Sequence, residues 1–243
     1  MELQQEYIHS MPMTVPTYDT GANGRLRLSA LLRWQQEAGE RQTKLYALDW
    51  DALAEKGYAF VLARGCGEVY RLPRHGEQVV LQTWSDHIQG VQFFRGYRLV
   101  SEAGETLTES MASFALVDIR THRLCRPSVV DMSALPTAVQ ETGCPLPPAV
   151  KDLPPLTAVG EWTVRDSAVD FNRHLNNTVY ADLLWDFLPA AVRENPPKRY
   201  ALQYITEARE GDTLTMYYGA DETAHYVEAR VGETRCFVGR VEV

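Results

Sequence analysis

No apolar run in the 243 residues approaches the roughly 20 that a membrane-spanning helix requires. A helical span is therefore excluded, and no membrane partner is expected. An excess of basic residues is also missing. With 24 Lys and Arg against 32 Asp and Glu, the net charge is −8. Nucleic-acid binding needs a basic footprint, so that class is set aside. A local basic patch for an acidic protein partner remains compatible with this balance. Cysteine is scarce: Cys66, Cys125, Cys144 and Cys236 form no CxxC pair and no Cys/His cluster with zinc spacing. Neither a metal nor a cofactor is expected, and the four are read as reduced thiols in or near packed regions. The opening residues Met1 to Glu6 are polar and acidic, unlike a basic-then-apolar secretory signal or an Arg-rich transit peptide. The expected location is cytoplasmic.

What is present is ordinary for a globular chain: 45% apolar and 23% charged residues. The length suits one large domain or two of about 100–120 residues. An internal repeat favours two. Residues 68–83 (EVYRLPRHGEQVVLQT) and 203–218 (QYITEAREGDTLTMYY) both run strand, basic residue, Gly-acid turn, strand, with Gly76-Glu77 and Gly211-Asp212 at the turns. A helical segment precedes each. Residues 28–38 place Leu28, Leu31, Trp34 and Ala38 on one face. Residues 176–188 place Val179, Tyr180, Leu183, Leu184, Phe187 and Leu188 on a broad stripe opposite Asp182 and Asp186, with Asn176 or Asn177 as N-cap.

Antiparallel strands follow each repeat. Residues 91–102 and 106–119 flank Ala103-Gly104-Glu105, and 225–231 and 234–243 flank Gly232-Glu233. In the latter, Tyr226, Glu228 and Arg230 alternate with Val227, Ala229 and Val231, a period-2 pattern with one face expected to be buried. Residues 127–155 hold seven of the thirteen prolines, a density that precludes helix or central strand and predicts an extended linker.

At Asp170-Phe171-Asn172-Arg173-His174-Leu175-Asn176-Asn177, followed by Thr178-Val179-Tyr180, the chain resembles the D-x-N-x-H-x-N-N-x-x-Y signature of the acyl-acyl-carrier-protein thioesterases. The resemblance spans nearly the whole chain, taking in residues 58–64, 71–74, 82–84, 114–118 and 121–123. It implies an α+β fold of two tandem hot-dog domains, each an antiparallel sheet wrapped around a central helix. The expected boundaries are residues 1–126 for an N-terminal unit holding the acyl-chain pocket, 127–158 for the linker, and 159–243 for a catalytic unit. It further implies a thioester hydrolase whose partner is an acyl-carrier protein bearing a fatty acyl chain. One chain would carry its own pair of units, and a homodimer is compatible with the fold.

The family's catalytic group is the Asp, Asn and His of the signature with a Glu on a following strand. Here these are Asp170, Asn172, His174 and, within Leu202-Gln203-Tyr204-Ile205-Thr206-Glu207-Ala208, Glu207. Plant members carry a Cys where Ala208 stands, so a thiolate nucleophile is ruled out at that position, and none of the four cysteines falls near the motif. Thioester hydrolysis needs an activated water and donors for the developing oxyanion. Glu207 is read as general base, with His174 and Asn172 polarising the carbonyl or positioning water and Asp170 orienting them, although either carboxylate could be the base. Helix N–H groups near Asn176 and Asn177 are further candidate donors.

Leu31, Trp34, Phe60, Leu62 and Trp84 are candidates for an apolar tunnel, and Glu37 for a surface or pocket-lining role. Arg64, Arg71, Arg74, Arg120, Arg123 and Arg126 are candidates for docking an acidic carrier. His75, His87, His122 and His225 read as surface or strand residues. The competing readings are an acyl-CoA thioesterase with the same site, a non-catalytic acyl-thioester-binding module, and a hydratase, whose usual signature places Pro near the His, unlike Arg173 here.

Overall fold

The computed structural model describes residues 7–137 and 140–243; the acidic start, Met1 to Glu6, lies outside them. The strands in chain order are β1 (His9–Thr14), β2 (Tyr58–Val69), β3 (Gln78–Gln89), β4 (Gln92–Ser101), β5 (Thr106–Asp118), β6 (Arg123–Leu124), β7 (Thr157–Thr163), β8 (Arg199–Tyr204), β9 (Thr213–Ala220), β10 (His225–Val231) and β11 (Thr234–Glu242). The helices are α1 (Leu28–Lys44), α2 (Trp50–Glu55), α3 (Val179–Asp186) and α4 (Ala190–Arg193). All paired strands run antiparallel in the order β1-β3-β4-β5-β2-β8-β11-β10-β9-β7, with the short β6 on β5.

The order is a palindrome of two equal halves. Each half runs first, third, fourth, fifth, second strand, and the two meet where β2 pairs with β8. This is the α+β, tandem hot-dog architecture that the resemblance implies. One helix lies in each concave face: α1 in the first half and α3 in the second. Their side chains share one continuous core that includes Leu31, Trp34, Leu81, Leu99, Leu184, Leu202 and Phe237. Fully burying a side chain of this size contributes about 1.5–3 kcal/mol. The helices also touch each other. Ser29 donates to Asp182, and the Arg33 guanidinium stands 3.9 Å from the same carboxylate, so the polar face of α3 is an interhelical contact.

Both Gly-acid turns are built alike. Gly76 and Gly211 take positive φ, and the following acid accepts the N–H three residues before it: Arg74 N to Glu77 at 2.9 Å, Arg209 N to Asp212 at 2.7 Å. At the first turn, Arg71 donates twice to Glu77, at 2.9 and 2.8 Å, and holds its carboxyl below the usual range. A depressed carboxyl stabilises the fold above its unfolded pKa and loses that contribution as pH falls through the folded one. Glu77→Gln is therefore expected to cost about 1 kcal/mol at neutral pH, with the difference from wild type fading in acid. Thermal unfolding across pH checks this, and a penalty that persists unchanged in acid contradicts it.

Three expectations need correction. First, α3 starts at Val179, and Asn176 is not its N-cap. The Asn176 side chain accepts from Thr178 N–H at 2.9 Å and Thr178 Oγ1 at 2.8 Å, forming an Asx turn before the helix. Second, β10 is buried on both faces: Tyr226, Val227, Glu228 and Ala229 are all inside, Glu228 at 0% exposure against Arg230 and Arg235. Third, the proline-rich segment is extended but packs down. Cys144, Val150, Leu153 and Leu156 lie over the outer face of the sheet beside Cys66, Met111, Ala201, Tyr226 and Val238. It crosses the β2–β8 seam, where Val150 N–H donates to Gln203. That strap brings Cys66 and Cys144, distant in sequence, to an Sγ–Sγ separation of 3.5 Å, and the contact and burial push the Cys66 thiol up. No described helix is long and apolar enough to cross a membrane.

Candidate active site

The second half reaches α3 through a loop whose geometry is set residue by residue. Asp170 Oδ1 accepts the N–H of Asn172 at 2.9 Å and of His174 at 3.4 Å, while Asp170 N–H donates to the His174 carbonyl at 2.9 Å. Arg173 closes the turn at φ 64°, an unusual conformation for a side-chain-bearing residue. Leu175 N–H then donates to Ala208 O at 2.8 Å, tying the loop to the segment after β8. His174 is consequently presented to that segment, and its Nε2 lies 3.0 Å from Glu207 Oε2. Arg209 Nη2 approaches the same oxygen at 3.9 Å.

Of the four sequence-derived residues, His174 and Glu207 therefore meet side chain to side chain. Asp170 acts on Asn172 and His174 through their backbone. The Asn172 amide makes no side-chain hydrogen bond among the described residues and is exposed at the same opening. The N–H groups of Asn176, Thr178 and Val179 are donated within the loop, which removes them as oxyanion donors. Ala208 is fully buried. One cysteine does come near in space: Cys236 lines the cavity, and its carbonyl accepts from Ile205 and Thr206 N–H, but burial pushes its thiol up.

All four residues line one cavity of about 1080 Å³ that extends into the first half. Its walls come from the face of α1 carrying Leu32, Gln35, Gln36 and Gly39, from Phe60 and Leu62 of β2, Phe93 of β4, Phe114 of β5, and Leu202 and Tyr204 of β8. Phe60 and Leu62 thus line it as expected. Leu31, Trp34 and Trp84 instead belong to the packed interior, Trp84 with its indole donating to Asp86 at 3.0 Å. Glu37 lines the opening and pairs with Arg41. The mouth carries Phe171, 68% exposed, edge-on to Trp50 of α2 at 4.8 Å between ring centroids, so the loop tip bridges the two halves. His122 and Leu124 line the same mouth, a place for His122 that its sequence context did not suggest. Arg120 and Arg123 are exposed beside it, whereas Arg71 is held by Glu77 and Glu105. Among the described residues no three His, Cys, Asp or Glu side chains converge as a metal site requires.

The first half contains the same loop without the reactive groups, a feature the sequence reading missed. Gly21 N–H donates to Arg25 O at 2.9 Å as Asp170 does to His174, Gly24 takes φ 68° where Arg173 takes 64°, and Leu26 donates to Pro73 as Leu175 does to Ala208. The register sets Gly21, Asn23, Arg25 and Leu72 against Asp170, Asn172, His174 and Glu207. Arg25 Nη1 reaches the Leu72 carbonyl at 2.9 Å, in the place of the His–Glu contact. The shared signal, Asn-x-Arg/His-Leu shortly before each helix, was present in residues 23–26 and 172–175.

Comparison with known proteins matches residues 6–131 to the acyl-ACP thioesterase N-terminal domain model and residues 157–235 to the acyl-ACP thioesterase C-terminal domain model. A curated relative, the chloroplastic palmitoyl-acyl carrier protein thioesterase of Arabidopsis thaliana, is 24% identical over 241 residues, covering 90% of this chain. The chain spans 57% of that relative's length. Among solved structures, an acyl-ACP thioesterase from Bacteroides thetaiotaomicron superposes with TM-score 0.91 at 18% identity, covering 98% of each chain. A 12:0-ACP thioesterase from Umbellularia californica superposes with TM-score 0.81 at 19% identity, covering 97% of this chain and 96% of that one.

Proposed function

Because the chain belongs to the acyl-ACP thioesterase family, we propose that it hydrolyses fatty acyl-acyl-carrier-protein thioesters, with Glu207 activating the attacking water. The observation that carries this reading is the His174–Glu207 contact at the mouth of a largely apolar cavity. The acyl chain enters the first half between α1 and the sheet. The thioester carbonyl stops at the opening, and the pantetheine arm leads out past Phe171 and Trp50 to a carrier docked at the mouth. Arg120 and Arg123 offer positive charge there to an acidic partner.

Glu207 Oε2 lies 3.0 Å from His174 Nε2, leaving Oε1 to take a proton from water as the water oxygen bonds to the thioester carbon. The carbonyl oxygen becomes an oxyanion, for which the unengaged Asn172 amide is a donor. Collapse of the intermediate breaks the C–S bond, and the proton held by Glu207 passes to the departing thiolate. The products are the free fatty acid and the carrier thiol. Supporting Glu207 over Asp170 as base is the use already made of Asp170, whose Oδ1 holds two backbone N–H groups of the loop.

That assignment makes Asp170 a positioning residue. Asp170→Asn keeps an oxygen acceptor in the same place and is expected to retain activity within about tenfold. Asp170→Ala releases the turn and is expected to lose about 100-fold, the scale of a misplaced catalytic group. Equal, near-complete loss in both variants would make Asp170 the base instead. Turnover of matched acyl-carrier-protein and acyl-CoA thioesters tests the substrate: faster hydrolysis of the acyl-CoA series, or none of either, overturns the proposal.

A further inference from the structure

We propose that Arg95 forms a charged floor to the acyl cavity and selects against hydrocarbon chains long enough to touch it; this rests on the acyl-thioester reading above. Arg95 lies on β4 between Phe93 and Tyr97, and all three line the cavity. It is only 8% exposed. Its Nη1 donates to the Gln42 side chain, and to Thr83 Oγ1 at 3.2 Å. No carboxylate among the described residues pairs with it; Glu40 is exposed and accepts from Trp50 N–H at 2.9 Å. A guanidinium has five donors and does not shed its proton. Its remaining donors must therefore find water inside the cavity or an acceptor on whatever enters.

The position is buried and lies far along α1 from the interhelical contact. The end of α1 at Ser29 and Arg33 meets Asp182 of α3, the helix that the His174 loop leads into. Gln42, which holds Arg95, is nine residues beyond Arg33 on α1, about 14 Å along the helix axis. Gly39 opens the space, since a Cβ there would stand 3.4 Å from Arg95 Cδ and 3.5 Å from Nε. A chain with its thioester at Glu207 runs along α1 from Leu32 toward Gln42, and its last carbons arrive at the guanidinium. A methyl terminus pressed there strips water from the charge and supplies no acceptor. A shorter chain leaves the water in place, and a terminal hydroxyl replaces it.

The test is a series of saturated acyl-carrier-protein thioesters of increasing length, with an ω-hydroxyl partner for each long member. For the wild-type protein, kcat/KM should fall once the chain reaches the floor, and the ω-hydroxyl form should exceed the plain chain of equal length by about tenfold. Arg95→Met, close in volume and without charge, should move the fall to longer chains and abolish the hydroxyl advantage. Arg95→Lys should keep both. Replacing a buried charge by an apolar side chain is commonly tolerated, and if Arg95→Met does not fold, the wild-type hydroxyl comparison decides alone. Equal rates for hydroxyl and plain chains, or the same shift in the Met and Lys variants, overturn the proposal. Failure of the wild-type protein to hydrolyse any member overturns the parent reading instead.

Discussion

Glu207→Gln is expected to lower kcat on acyl-carrier-protein thioesters by about 10²–10⁴-fold, the usual contribution of a positioned general base. At 1.36 kcal/mol per decade that is about 3–5 kcal/mol of transition-state stabilisation. Glutamine matches glutamate in size and keeps a polar group beside His174 Nε2, so only the capacity to take a proton is removed. Glu207 is 44% exposed at its side chain, in a segment anchored by backbone bonds to Cys236, so the fold does not depend on its charge. Unfolding temperature should stay close to wild type, and the variant should still bind the acyl carrier. Single-turnover rates and a binding measurement on the same preparation separate the two effects. A variant that retains a tenth or more of wild-type kcat removes Glu207 from the chemistry. Loss of binding together with loss of rate points to a structural role.

Much of the frame was legible because local pattern and tertiary role agree. The α1 stripe, the two Gly-acid turns and the two late hairpins each follow from spacing and turn residues that the fold then uses. The edge strand β1 was not, because Pro12 interrupts a short polar-apolar run, and an edge position tolerates a missing N–H. Glu228 reads as a solvent-facing residue by alternation, yet it is fully buried against two arginines, which period-2 reasoning cannot detect. The His174–Glu207 pair was legible through the signature and not through residue type. An Asp-x-Asn-x-His run is also what a plain capping loop looks like, and residues 21–26 show that loop without the chemistry. The cavity was half legible: Leu31 and Phe60 are alike in type, and only the packing makes one core and the other wall. Arg95 carries no local mark of its position, since an arginine on a strand ordinarily faces water.

Gly67→Ala is expected to cost about 2–3 kcal/mol and lower Tm by roughly 4–12 °C, a large effect for one methyl group. Gly67 pairs with Tyr200 across the β2–β8 seam, and a Cβ at Gly67 would lie 2.4 Å from the Tyr200 ring. The ring cannot swing aside freely. It is buried, and its hydroxyl donates at 2.9 Å to Ser110 Oγ, which also receives the Gln35 side chain at 3.0 Å. One residue thereby links β8, β5 and α1 where the two halves join. The same strand leads from Tyr200 through Leu202, both lining the cavity, to the segment bearing Glu207. The substitution should therefore disturb substrate handling as well as stability, raising KM more than a comparable clash elsewhere. Gly239→Ala supplies that comparison, since its Cβ would lie 2.9 Å from the buried Leu184 side chain and neither residue lines the cavity. Combining Gly67→Ala with Tyr200→Leu removes the clash, so the double variant should be less destabilised than the two single changes predict when added. Strict additivity, or a Gly67→Ala protein that melts within 2 °C of wild type, would mean that the seam yields locally. The union of the two halves would then not be what holds the acid over the cavity.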